Sequence, residues 1–124
     1  MKSACLSVIL LLISAVVTNA APKAVADGDT PKIEEKVISH VKSYYMTHSV
    51  EGVPSSAKPK QVDVVVDRTE LVQGWTGRSR TSGTATIMSA GKYTQNYACE
   101  FEVMTEIDDK NVVSIIETNS KRKQ

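Results

Sequence analysis

The chain predicts an α+β fold, with one N-terminal helix packed on a curved four-stranded antiparallel meander sheet. Three observations predict it. Ile33, Val37, Val41, Tyr44 and His48 recur at helical spacing, and Gly52 and Pro54 stop the pattern. Between Lys92 and Ile107 the period changes to two. Tyr93, Tyr97, Cys99, Phe101, Val103 and Ile107 fall on one side, and Thr94, Asn96, Ala98, Glu100, Glu102 and Glu106 on the other. Three further β-rich runs flank this stretch, separated by turn-forming clusters at Gln73–Gly77, Ser89–Gly91 and Asp108–Asn111.

The 124 residues suffice for one domain. Residues 1–20 read as a cleaved signal peptide. Lys2 precedes twelve residues, Leu6–Val17, that are apolar apart from Ser7 and Ser14, and Thr18-Asn19-Ala20 supplies a small-residue exit. The run is too short for a membrane span, which needs about 20 residues, so no stable anchor is expected after cleavage. Cleavage is expected after Ala20 or Ala21, and Ala24-Val25-Ala26 offers a second small-x-small site. The mature protein is then secreted or periplasmic. Loss of Lys2 from the 15 basic residues leaves 14 against 14 acids, a net charge of zero. Such a balance argues against nucleic-acid binding, which phosphate neutralisation drives. Cys5 leaves with the signal peptide, so Cys99 has no partner for an intramolecular disulfide, and the core alone must hold the fold.

Residues 21–30 are small and polar and read as a flexible leader. The helix is expected from about Pro31 to Ser49, with Thr30 as N-cap and Pro31 in the first turn. Ile38 and Tyr45 widen its apolar stripe. Val62, Val64 and Val66 alternate with Asp63, Val65 and Asp67 in the first strand, and the slip near Arg68-Thr69 predicts a bulge. The second strand spans about Arg78–Met88. A three-residue loop at Ser89–Gly91 would set Ile87 opposite Tyr93, Gly83 opposite Tyr97, Arg80 opposite Glu100 and Arg78 opposite Glu102. Each of the two charge pairs is worth about 0.2–1 kcal/mol. After the Asp108–Asn111 turn, Val112–Thr118 forms the last strand. Ile107 is expected against Val112, Val103 against Ile116, and Met104 against Ile115 on the outer face. The domain is thus 31–118, and 119–124 a disordered tail.

The residues with chemical potential have plain alternatives. Cys99 sits among apolar neighbours and reads as a small core residue. His40 and His48 lie two helical turns apart, too far to share one ion, and no metal-ligand spacing is present. Asp108-Asp109 with Asn111 lacks the glycine and distal glutamate of a calcium loop. Asp63 and Asp67 read as a solvated strand face, and Lys121-Arg122-Lys123 as a solvated end. Neither a Ser/His/Asp set nor a phosphate-cradling glycine motif occurs, so neither catalysis nor a cofactor is expected. Trp75, the sole tryptophan, stands in a Gly-flanked loop, where it either folds back to cap the core or anchors a partner. Thr84, Thr86, Met88, Met104, Val113 and Ile115 are expected to form an apolar patch on the outer face. Trp75, Met104 and Ile115 are therefore the candidate binding residues, for a protein partner or a second copy of the chain.

One helix followed by a four-stranded meander resembles the cystatin-like and NTF2-like α+β domains. The stretch from Thr81 to Val103, with Gly91-Lys92-Tyr93 between its strands, is similar to small exported or membrane-anchored bacterial domains of this shape. The resemblance covers residues 31–118 and implies fold more than activity. Two further readings come with it. A cystatin-like protease inhibitor would use a Q-x-V-x-G hairpin. Here Gln61-Val62-Asp63-Val64-Val65 lacks the final glycine, and Trp75 follows Gly74 where cystatins have proline. An NTF2-like cone would bind a small ligand in a pocket lined by Tyr44, Tyr93 and Tyr97. The reading preferred over both is a non-catalytic exported interaction domain.

Overall fold

The computed structural model describes residues 20–50, 52–54, 58–90 and 96–123. A 3-10 turn, Asp27–Asp29, leads into helix α1, Thr30–Thr47. Four strands follow: β1 (Lys58–Leu71), β2 (Arg78–Ala90), β3 (Asn96–Ile107) and β4 (Val113–Arg122). They form an open antiparallel sheet in sequence order, with α1 packed on one face. The α+β meander read from the sequence is therefore the observed architecture. Residues 1–19 of the expected signal peptide, 1–20, with Cys5, and the tip of the β2–β3 connection, 91–95 with Tyr93, lie outside the described residues.

The helical stripe buries Ile33, Val37, Val41 and Tyr45. Pro31 sits in the first turn, where its missing N–H costs no hydrogen bond. Thr30 is already helical, and the N-cap position falls to Asp29. Opposite the stripe, β2 and β3 contribute Ala85, Ile87, Tyr97, Cys99, Phe101, Val103 and Ile107, all buried. Alternation in β3 is strict, with every odd residue from Tyr97 to Ile107 inside.

Two registers differ from those expected. Gly83 faces Phe101 and Ile87 faces Tyr97, so the β2–β3 pairing is displaced by four residues. An even displacement keeps every side chain on its expected face. Ser89 and Ala90, expected in the hairpin loop, instead continue β2 and pair with β1. In the last hairpin the shift is odd. Ile107 faces Val113 and Thr105 faces Ile115, so Val113 is buried and Ile115 packs against the core, while Val112 and Ile116 are exposed. An odd shift exchanges the faces of a strand. The expected outer patch thus loses Val113 and Ile115.

Asp67 is the extra residue of a bulge between Val66 and Arg68, just before the slip expected near Arg68-Thr69, both of which pair regularly with β2. Ile116 is the extra residue of a second bulge, opposite Met104 and Thr105. Beyond it β4 continues to Arg122, four residues past the expected end. Arg122 donates to the Gly52 carbonyl at 2.6 Å and its guanidinium lies 5.1 Å from the Tyr97 ring centre. The segment read as a leader also makes defined contacts, with Lys23 N–H bonding the Ile107 carbonyl at 3.1 Å. Among the described residues, no helix is long and apolar enough to cross a membrane.

Candidate functional site

The sheet face opposite α1 carries the chemistry that the core does not use. It is built from the even-numbered residues of β2 and β3 and their neighbours on β1 and β4. Glu100, Glu102 and Glu106 form an acidic row down β3. Arg78 pairs with Glu106 at 3.1 Å, Arg80 with Glu102 at 3.2 Å, and Lys121 with Glu100 at 3.6 Å. The expected partnership of the two arginines with this row is present, with different glutamates. Glu106 faces Arg78 directly, and Glu102 is the diagonal neighbour of Arg80, which lies opposite Met104. A third cation, from the basic tail segment, completes the pattern.

A groove of about 450 Å³ crosses this face. Asp67, Thr84, Glu100, Glu102, Asn119 and Lys121 are among its lining residues. Asp67 reaches it because the β1 bulge removes that residue from the ladder. The groove therefore presents carboxylates, ammonium groups, hydroxyls and an amide, and suits a polar or mixed-charge surface better than an apolar ligand.

Trp75 stands at one end of the face. Gly74 and Gly77, at φ 85° and 79°, turn the β1–β2 connection back on itself and push the indole outward. It is 59% exposed, so it does not cap the core. The Arg78 guanidinium lies 3.8 Å from the ring centre. Glu106 fixes that guanidinium from below, and the Met104 sulfur lies 4.0 Å from its Nη1. Met104, half-buried among glutamates, is thus part of the support for Arg78. Of the three candidates, Trp75 and Met104 come together through one arginine, and Ile115 sits on the opposite face. Val65, 62% exposed on the outer side of β1 where its alternation places it, adds an apolar residue that the expected outer patch did not include.

Four other titratable groups, Cys99, His40, His48 and Tyr45, lie away from this face. Cys99 is fully buried, and burial pushes its thiol up, with Arg122 opposing. His40 Nε2 bonds the Thr118 hydroxyl at 2.8 Å, and burial holds its pKa below the usual value, helped by Lys36 and then His48. His48 stacks on Tyr44 at 4.3 Å and turns Nδ1 to the Tyr44 carbonyl. Burial pushes Tyr45 up to about 12 although its hydroxyl bonds Ser120 at 2.5 Å. Among the described residues, no group of three or more His, Cys, Asp or Glu side chains is placed to hold a metal ion.

No protein-family model, no curated protein and no solved structure matches this chain. The functional reading accordingly rests on the geometry of the outer face.

Proposed function

We propose that this chain is a small exported, non-catalytic interaction domain that engages a protein partner through the outer face of its sheet, with Trp75 as the anchor. The observation that carries the reading is the Trp75–Arg78–Glu106 stack. A large aromatic is held out in solvent by a guanidinium that is itself held by a carboxylate. Tryptophan and arginine dominate the energetics of protein interfaces, and an anchor already fixed in place loses little entropy on binding. The adjoining groove supplies both signs of charge for recognition. The buried thiol and the bonded histidines are consistent with a role that involves no chemistry. The charge and apolar pattern of residues 1–20 supports export.

The experiment is affinity capture from the envelope or secretion fraction of the source organism, followed by calorimetry with the captured protein. Trp75→Ala should weaken binding at least tenfold, about 1.4 kcal/mol, and Met104→Lys should weaken it by disturbing Arg78. A partner that binds wild type, Trp75→Ala and Met104→Lys equally would sink the proposal. A concentration-dependent dimer lost in both variants would identify the partner as a second copy.

A further inference from the structure

We infer that the export leader is cut between Ala20 and Ala21, and that Ala21–Ala26 stays with the mature protein as a strap closing the Gly77 end of the sheet. The inference rests on the export reading above. It goes further by choosing among the three small-residue sites at Ala20, Ala21 and Ala26.

The strap is bound by its backbone. The Asp109 N–H donates to the Ala21 carbonyl at 2.9 Å, and the Lys23 N–H donates to the Ile107 carbonyl at 3.1 Å. Pro22 faces Asp108 in an antiparallel bridge between these bonds. Ile107 in turn donates its N–H to the Gly77 carbonyl at 2.9 Å. Gly77 is shaped for this arrangement. A Cβ there would stand 2.7 Å from the Lys23 carbonyl oxygen and 2.8 Å from that of Ile107. The absent side chain at 77 is thus the space through which the strap passes.

Its side chains do as much. The Lys23 ammonium pairs with Asp29 at 3.1 Å and also meets the Asn111 side-chain carbonyl. Asp29 is only 7% exposed, and its second stabilising contact is the Ala26 N–H at 2.8 Å. Val25 packs against the core. A cut after Ala26 would leave Asp29 without its cation and without that amide. A nearly buried carboxylate stripped of its partners is among the costlier losses a fold can suffer. A cut after Ala21 would take away the carbonyl that Asp109 uses. Only the cut after Ala20 keeps every contact. The step is hydrolysis by a signal peptidase. Water adds across the Ala20–Ala21 peptide bond, leaving a carboxylate on Ala20 and an ammonium on Ala21.

The test is to express the full chain in a secreting host and determine the N-terminus and intact mass of the exported protein. The expected product is Ala21–Gln124. A product beginning at Pro22 or Asp27 overturns the inference while leaving export intact. A chain that retains Met1, or is absent from the exported fraction, sinks the export reading and the inference with it. Ala20→Gln in the full chain should abolish the cut between residues 20 and 21, and a product that still begins at Ala21 in the same yield would overturn the assignment. In the exported protein, Lys23→Met should speed hydrogen exchange at the Asp109 amide at least tenfold. Unchanged exchange would mean that Ala21–Ala26 is no strap.

Discussion

The ring of Phe101 lies across Gly83, its directly facing residue on β2. A Cβ on Gly83 would stand 2.8 Å from Phe101 Cζ and would overlap the carbonyl oxygen of Val65 on β1. The three strands close on this point, and the Asp67 bulge lies next to it. An aromatic lying over a strand glycine fills the gap that the glycine leaves. Gly83→Ala should therefore destabilise the protein by about 1–3 kcal/mol or more, as overpacking against backbone does. Phe101→Leu should cost stability by the opposite route, opening a cavity. Urea denaturation of the two variants checks this, and a Gly83→Ala midpoint equal to wild type would contradict the contact.

Ser79 and Thr105 face each other inside the sheet, both fully buried, and among the described residues neither hydroxyl has a hydrogen-bond partner. An unpartnered buried hydroxyl lowers stability relative to a methyl of the same shape. Thr105→Val should raise stability by about 1 kcal/mol. A thermal midpoint that falls would show that the hydroxyl is satisfied in solution.

His40 gives the fold a pH dependence of defined sign. Burial holds its folded pKa below the 6.5 of the free side chain. The unfolded chain therefore binds the proton more readily, and stability rises with pH between the folded pKa and about 6.5. Above that window this contribution is fully present, and it is lost as pH falls through the folded pKa. His40→Gln, which can still bond Thr118, should remove that part of the slope. Denaturation from pH 8 to pH 4 measures it, and identical slopes would refute the assignment.

Trp75 and Arg78 should couple. A double-mutant cycle with Trp75→Ala and Arg78→Ala should give an interaction of about 0.5–1 kcal/mol, the usual value for an exposed cation–π pair. Trp75→Ala alone should cost no more than about 1 kcal/mol, the cation–π term itself, since the indole is outside the core. A larger loss would mean that the loop contributes to folding.

Where the signal was local, the sequence carried it. The stripe from Ile33 to Val41 and the alternation of β3 depend on neighbours in the chain and are present, and the bulge expected near Arg68-Thr69 is found just before it, at Asp67. Registers depend on contacts between strands and were less legible. Glutamates recur at 100, 102 and 106, so Arg78 and Arg80 find acidic partners in either β2–β3 register. Charge complementarity could not choose between them, and Gly83 meets an aromatic in either, Tyr97 in the expected register and Phe101 in the observed one. In β4, Val112-Val113 and Ile115-Ile116 offer apolar residues to both faces. The observed register gives Thr118 to His40 and Ser120 to Tyr45, partners that only the folded helix supplies. The site was legible to the same degree. Trp75 stood out as a lone tryptophan between glycines, whereas the link to Met104 through Arg78 required the register.

The bulge at Ile116 has a consequence for the length of the chain. Ile116 takes no place in the ladder, because Ile115 faces Thr105 and Glu117 faces Met104. A chain lacking Ile116 would thread the same ladder with every side chain still on its present face. Lys60 and Asp67 have the same standing in β1. A one-residue deletion elsewhere in a paired stretch would invert everything beyond it, sending charges inward. Related chains that differ by a single residue within the sheet should therefore differ at these three positions, where losing a residue leaves the parity of the fold untouched.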